Sequence, residues 1–344
     1  MKLKGAEIVW ECLTREGVEV VFGYPGGANM PIYDAMLNYP VHHVLVRHEQ
    51  GAAHMADGYA RASGKVGVAM ATSGPGATNL VTGICTAMMD SVPTVFITGQ
   101  VAAHLIGGDA FQETDVTGIT LPITKHNYLV TRADQIAETI REAFYIARSG
   151  RPGPVLIDVC KNAQIESCEF VFPEDVKLPG YQPVLRSPKN LVDQAVELIE
   201  RAKKPIILCG HGVLMSKAEE ELMQFAVKTQ TPVASTLLGL GAFPASNELS
   251  LGMMGMHGEA HTNLAVQNSD LILAFGMRFD DRVTGTLKTY APRAKKIHIE
   301  IDPSEVHKNV FVDVPLVGDL KTVLTDLIPL VDEYDHDEWK QEIN

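Results

Sequence analysis

Cysteine is scarce. Five occur in 344 residues, at Cys12, Cys85, Cys160, Cys168 and Cys209. Their number is odd, their spacing irregular, and no C-x-x-C pair is present. This supports neither a disulfide frame nor a zinc site, and it fits reduced thiols in a cytoplasmic protein. Long apolar runs are lacking too. None approaches the roughly 18 residues of a spanning helix. The first stretch, "MKLKGAEIVWECLTREG", is broken by charges where a signal peptide needs an apolar core. Basic residues are few: 29 Lys and Arg against 42 Asp and Glu give a formal charge of −13. Sequence-independent nucleic-acid binding requires a cationic surface, so that class is excluded. There is no repeat of solenoid period, no low-complexity segment and no metal-ligand spacing among the histidines.

What remains is ordinary globular material, 46% hydrophobic and 21% charged, long enough for two domains. Two regions alternate short β-rich runs with helical patterns. In the first, an amphipathic helix near Ala6–Glu16 precedes the apolar runs "VEVVFG", "HHVLVRH", "VGVAMATSG", "VPTVFITG" and "GPVLIDVC". Helical patterns such as "ATNLVTGICTAMMD" and "ADQIAETIREAFYIARS" lie between them. This alternation predicts a mostly parallel sheet covered on both faces. The stretch "ESCEFVFPEDVKLPGYQPVLRSPKN" has four prolines and no sustained period, and reads as a surface linker. A second alternation follows, from a helix at Leu191–Arg201 through "PIILCG", "PVAST", "DLILAFG" and "KIHIEID" to a helix near Leu320–Leu330. The expectation is an α/β protein of two doubly wound domains, 1–163 and 189–331, joined by a linker at 164–188. An acidic tail at 332–344 should fray.

Three stretches invite a chemical reading. "FGYPGGANMPIYDAM" puts Pro25, Gly26 and Gly27 between a strand and a helix, which permits unusual backbone angles and close approach of a ligand, or simply a tight turn. "TSGPGATNL" is a second glycine-rich turn at a helix start, but it is neither a P-loop nor a dinucleotide fingerprint, and no phosphate site follows from it. "LVRHEQGAAHMADGYAR" places one carboxylate, Glu49, after an apolar run and before a helix whose Ala52, Ala56 and Ala60 form a small-residue face. A small face lets another backbone pack closely. Glu49 is then either a first-turn charge favoured by the helix dipole or a proton-exchange group in a tight cleft. His48 and His54 read as packing residues.

Taken in order, "FGYPGGA", "VRHEQGAAHMADGYARASG", "TSGPGATNLVTG", "DSVPTVFITGQV", "DAFQETD", "GRPGPVLIDV", "LGMMGMHG" and "FGMRFDDRVTG" closely resemble the large, catalytic subunits of the acetohydroxyacid (acetolactate) synthase family, from about Gly5 to Leu330. "DAFQET" and "MRFDDRVTG" are similar to the FAD-containing biosynthetic branch.

The resemblance implies a thiamine-pyrimidine-binding domain followed by a central, Rossmann-like FAD-binding domain. It also implies a carboligase that decarboxylates pyruvate on thiamine diphosphate and joins the hydroxyethyl unit to a second 2-ketoacid. The products are 2-acetolactate from pyruvate and 2-aceto-2-hydroxybutyrate from 2-ketobutyrate, in valine, leucine and isoleucine biosynthesis. Glu49 matches the glutamate that hydrogen-bonds a ring nitrogen of the thiamine aminopyrimidine and so promotes loss of the thiazolium proton. Gly27 lies beside the reactive centre, Phe111 and Gln112 approach substrate and cofactor, and Lys161 lies near the substrate entrance. Cys160 stands where the family usually has proline, and Gly108 where a larger residue is common. Arg282 matches the arginine that pairs with the second ketoacid's carboxylate; read without the resemblance, it is a surface ion pair with Asp280 or Asp281. Arg151, Gly210, Gly212, Thr236, Met256, His257, Arg278, Asp280, Glu300 and Asp319 match FAD contacts, although His257 alone would read as a loop histidine.

Family members hold Mg²⁺ and the diphosphate through a "GDG…N" signature in a third domain. No such signature occurs here, so the chain is expected to be a catalytic subunit without its C-terminal domain, inactive alone, and with no metal ligands of its own. A homodimer or tetramer, a small regulatory subunit, and no nucleic-acid or membrane partner are further expectations. Two other readings stand beside this one. A pyruvate-oxidase-like enzyme is disfavoured by "FDDRVTG". A non-catalytic FAD-binding or subunit-interaction fragment would be distinguished by a turnover assay with pyruvate.

Overall fold

The computed structural model describes residues 1–343, which divide into two compact units, Met1–Gln182 and a second that begins at Pro183. Among these residues no helix is long and apolar enough to cross a membrane.

The strands of the first unit are β1 (Lys2–Lys4), β2 (Val20–Gly23), β3 (His42–Leu45), β4 (Gly67–Ala71), β5 (Thr94–Gln100), β6 (His126–Val130), β7 (Pro154–Cys160) and β8 (Ser167–Glu169). Its helices are α1 (Gly5–Arg15), α2 (Met30–Ala35), α3 (Glu49–Ser63), α4 (Pro75–Asn79), α5 (Val81–Met89), α6 (Val116–Thr120), α7 (Ile136–Arg148) and α8 (Lys161–Ile165). Six strands form one parallel sheet in the order β3-β2-β4-β5-β7-β6. Every residue of β4, β5 and β7 is buried, as continuous apolar strands covered on both faces must be. On one face α1 and α7 turn their apolar stripes inward, with Trp10, Leu13, Ile140 and Phe144 in the core. The Trp10 indole donates to Ile32 O at 2.6 Å. On the other face the small side of α3 does what its alanines predict. A Cβ at Gly67 would stand 2.0 Å from Ala56 O, and one at Gly83 would stand 2.3 Å from Ala53 Cβ. Backbone therefore packs on backbone here, and larger side chains would force α3 off the sheet.

The second unit adds β9 (Pro205–Cys209), β10 (Val233–Ser235), β11 (Ser250–Met253), β12 (Leu271–Phe275), β13 (Lys295–Glu300) and β14 (Val314–Val317). Its helices are α9 (Lys189–Arg201), α10 (His211–Met215), α11 (Glu219–Thr229), α12 (Ala260–Asn268), α13 (Asp281–Thr284), α14 (Leu320–Leu327) and α15 (Asp337–Ile343). The sheet is again six-stranded and parallel, in the order β11-β10-β9-β12-β13-β14. The strand order reverses between β2 and β4 in the first sheet, which also steps back from β6 to β7, and between β9 and β12 in the second.

Two expectations change. The proline-rich stretch at 164–188 is no free linker. β8 pairs antiparallel with β1, and Phe170, Phe172, Leu178 and Tyr181 pack on the first core. Ser187 Oγ donates to Val317 O in the second unit. The aromatic residues among the prolines supply the anchors. Nor do residues 337–343 fray. Trp339 is 2% exposed, and its indole donates to Pro205 O at 2.9 Å. One buried tryptophan outweighs the acidic composition around it.

Candidate functional site

In the first unit, the turns that leave β2 and β4 meet where the strand order reverses, which is where open α/β sheets hold ligands. Thr72 stands between them. Its Oγ1 accepts from Ala28 N at 3.1 Å, and a Cβ on Gly26 would come within 2.6 Å of it. Gly26 is thus required by packing. Neither Gly26 nor Gly27 has a positive φ, so the unusual backbone angles expected there do not occur. They occur at Gly74, with φ 57° and ψ −119°. A Cβ on Gly27 would meet nothing within 4 Å, so its missing side chain leaves open space beside the turn.

Glu49 follows the carboxyl end of β3 as the first residue of α3. His48 caps that helix, its Nδ1 accepting from Gln50 N at 3.1 Å. His48 and His54 are both exposed, so neither packs in the core as expected. The half-buried Glu49 carboxylate is not a freely solvated charge. Asn79 Nδ2 donates to Glu49 Oε2 at 2.9 Å, and a Cβ on Gly76 would sit 3.2 Å from Oε1. The second glycine-rich turn therefore serves a carboxylate of its own chain. Tyr33 lies in the same cleft, hydrogen-bonded to His43 Nε2 at 3.3 Å. Burial, and then the charge of Glu49, push its phenol above the usual tyrosine range. Burial pushes His43 down.

The same corner receives Gln112. A Cβ on Gly74 would stand 2.7 Å from Gln112 O, and Gln112 has φ 58°, a region that non-glycine residues seldom adopt. Its neighbour Phe111 is 87% exposed. Their loop closes on Glu113, whose carboxylate accepts from Gly107 N and Ala110 N. These bonds hold that carboxyl below the usual range. Beneath the loop, Asp158 is 1% exposed and accepts from Thr98 Oγ1 at 2.7 Å and Gln100 Nε2 at 2.8 Å. The same Gln100 Nε2 donates to Thr114 O. Burial pushes Asp158 up to about 6 against those hydrogen bonds, with the charge of Asp115 adding to the rise.

Lys161 begins α8 at the end of β7, two strands from β4. Cys160 before it is buried, which pushes its thiol up to about 11. Its φ of −58° lies within the range a proline would impose, so the substitution leaves the backbone in the same region. Arg151 lies elsewhere. It precedes β7, at the amino edge of the sheet, and its Nε donates to Ser91 Oγ at 2.8 Å.

In the second unit, Gly210 and Gly212 follow β9, Thr236 follows β10, and Met256 and His257 follow β11. Arg278 and Asp280 follow β12, Glu300 ends β13 and Asp319 follows β14. All nine thus gather at the carboxyl edge of one sheet. At the reversal between β9 and β12, a Cβ on Gly212 would stand 2.6 Å from Gly276 Cα, so the two turns touch through backbone. Met256 and His257 are exposed. Met256 N donates to Arg282 O at 2.8 Å, and Arg282 Nη1 lies 3.4 Å from Met256 Sδ. The Arg282 guanidinium is exposed, 3.7 Å from Asp281. Asp280 instead caps α13 by accepting from Arg282 N and Val283 N. Glu300 accepts from Ile301 N and Asp302 N, and Asp319 accepts from Ser216 Oγ and Thr322 N. These carboxylates already hold their own turns. Among the described residues, no group of three or more His, Cys, Asp or Glu converges as a metal site.

Asn79, Tyr33 and Asp158 were not singled out from the sequence. Asn79 was in view inside "TSGPGATNL". Nothing in one dimension pairs it with a glutamate 30 residues away.

Known proteins agree with this division. Residues 3–119 match the thiamine pyrophosphate enzyme N-terminal TPP binding domain, and residues 192–327 match the thiamine pyrophosphate enzyme central domain. The acetolactate synthase large subunit of Haemophilus influenzae is 50% identical over 100% of this chain and 61% of its own length. The acetolactate synthase of Mycobacterium bovis is 53% identical over 96% of this chain and 54% of its own. The probable acetolactate synthase large subunit of Methanocaldococcus jannaschii is 52% identical over 95% and 56%. The chain therefore spans little more than half the length of the curated relatives it matches. With both domains matched in order and about half the residues shared throughout, the chain belongs to the thiamine pyrophosphate enzymes, alongside the acetolactate synthase large subunits.

Proposed function

We propose that this chain carries the pyrimidine-binding half of an acetolactate synthase. The enzyme would decarboxylate pyruvate and join the two-carbon unit to a second pyruvate or to 2-ketobutyrate, in branched-chain amino-acid biosynthesis. The observation that carries the reading is Glu49, a half-buried carboxylate oriented by Asn79 where the first sheet reverses. Thiamine diphosphate, when bound, supplies the carbon nucleophile and the electron sink. Glu49 would hold and release the proton at a pyrimidine ring nitrogen. Gly27, with open space where a side chain would be, would let the ligand approach. Gln112 and Phe111 would line the substrate side, Lys161 the entrance, and Arg282 would bind the second ketoacid's carboxylate, a task suited to a guanidinium fork.

FAD is assigned to the carboxyl edge of the second sheet, beside Gly210, Gly212, Thr236, Met256, His257, Arg278, Asp280, Glu300 and Asp319. The assignment of Arg151 to the flavin rests on resemblance alone. Mg²⁺ and the diphosphate are assigned to residues outside this chain. A homodimer or tetramer, a small regulatory subunit and a cytoplasmic location complete the proposal. The five free cysteines agree with the last.

The test is Glu49→Gln in the holoenzyme, with pyruvate, thiamine diphosphate, Mg²⁺ and FAD supplied. Glutamine keeps the shape but cannot exchange the proton. Acetolactate formation should fall on the order of 10²–10⁴-fold with the fold intact. Near-normal turnover would refute the role.

A further inference from the structure

We propose that Asn79 is a positioning residue for Glu49, whose side-chain amide fixes one carboxyl oxygen and leaves the other, Oε1, to carry the exchanged proton. This rests on the reading of Glu49 as the proton-exchange group.

The argument begins with the turn after β4. Its path needs glycine at 74, where φ is 57°, and a residue without a side chain at 76, where a Cβ would crowd Thr72 at 2.8 Å and Glu49 Oε1 at 3.2 Å. That path ends at Asn79, the last residue of α4, with Nδ2 2.9 Å from Glu49 Oε2. The amide orientation is dictated by charge. Turned the other way, Asn79 Oδ1 would face a carboxylate oxygen and both would repel.

An asparagine NH₂ only donates. Of the two oxygens of a protonated carboxyl, the carbonyl oxygen is the better acceptor for this N–H, so the bond at Oε2 favours the proton on Oε1. When Glu49 takes up a proton, it goes to Oε1. Oε1 is the oxygen beside Gly76, where only a hydrogen atom stands in place of a methyl group. Asn79 thus decides which oxygen works, and Gly76 keeps that oxygen uncovered. Asn79 is also neutral. A lysine in its place would hold the carboxylate ionised and oppose proton uptake, whereas an amide orients without adding charge. The glycine-rich turn, which offers no phosphate motif, acquires a purpose: it serves the carboxylate, not an anion.

Two measurements test this. In the ¹H–¹⁵N spectrum of the 344-residue chain, one Asn79 side-chain amide proton should lie downfield of the exposed asparagines. The signal is identified by its loss in Asn79→Ala, and the displacement should vanish in Glu49→Ala. An undisplaced signal, or one indifferent to Glu49→Ala, overturns the pair. In the thiamine-diphosphate-loaded holoenzyme, deuterium exchange at the thiazolium C2 should slow roughly 10-fold or more in both Asn79→Ala and Asn79→Asp, the loss expected for a hydrogen bond to a charged group. Cofactor affinity by calorimetry should stay near wild type. Exchange at the wild-type rate in both variants, with Glu49→Gln slow, overturns the role of Asn79 and leaves that of Glu49 standing. If Glu49→Gln also exchanges normally, the proposed function is what fails, and the amide spectrum still decides whether the pair exists.

Discussion

Asp158→Asn should flatten part of the pH dependence of stability in the first unit. The wild-type carboxyl is 1% exposed and pushed from its ordinary 3.8 up to about 6 by burial. Its folded-state value therefore lies above its unfolded one. The folded chain binds the proton more tightly, so this stabilisation is fully present below about pH 4 and is lost as pH rises through about 6. The gap is worth about 3 kcal/mol at 1.36 kcal/mol per pH unit. Asparagine cannot ionise, so the variant lacks this contribution, while other carboxylates cancel in the difference. Trp10 is buried in the first core, and in a Trp339→Phe background it is the one indole left to report unfolding. Urea titrations at intervals from pH 3 to pH 7 should show wild type losing about 3 kcal/mol relative to Asp158→Asn. Parallel curves for the two proteins would refute the reasoning and mean that Thr98 and Gln100 hold the buried carboxylate at an ordinary value. The consequence extends to the site, because Gln100, held by Asp158, also pins Thr114 at the base of the loop that carries Phe111 and Gln112.

Trp339→Ala removes a fully packed indole and its bond to Pro205 O, and should cost the second unit about 3–5 kcal/mol. Faster amide exchange in β9 and β12 would register the loss, and wild-type exchange would mean that residues 337–343 are frayed after all. Arg282→Ala should damage joining to the second ketoacid more than carbon dioxide release from the first, by roughly 1.5–3 kcal/mol for a charged hydrogen bond. Measuring both products separates the steps, and equal losses would assign Arg282 to the flavin or to the fold.

The central strands were legible because burial on both faces leaves them mostly apolar. "VGVAMA", "VPTVFITG" and "DLILAFG" contain β4, β5 and β12 almost to the residue. The edges were not. β6, "HNYLV", mixes exposed and buried positions, and β14, "VPLV", carries a proline that only an edge strand tolerates. β1 and β8 are three residues each and exist only because they pair with each other. The candidate site divides in the same way. Glu49 drew notice as a lone carboxylate among small residues, but its partner did not, because a side-chain hydrogen bond across 30 residues leaves no periodic trace. Asp158 was hidden for the opposite reason, sitting in "GPVLIDVC" as one polar letter in an apolar run.

The two sheets pose one problem and solve it with different residues. In a parallel sheet every strand ends on the same edge, and at the point of reversal the turns diverge and leave a crevice. The first unit lines its crevice with polar side chains. Thr72 props one turn, Gly76 withdraws from Oε1, and Asn79 reaches Oε2, so a charge is held where a ligand would enter. The second unit brings backbone to the same place. Gly210 and Gly212 close on Gly276, while Asp280, Glu300 and Asp319 satisfy their own turns. Its carboxylates are committed to structure, which suits an edge that holds a large ligand by shape and backbone groups. Among the described residues, the first crevice sets the Glu49 carboxylate oxygen beside a glycine hydrogen, which is why the proposed acid–base role is placed there.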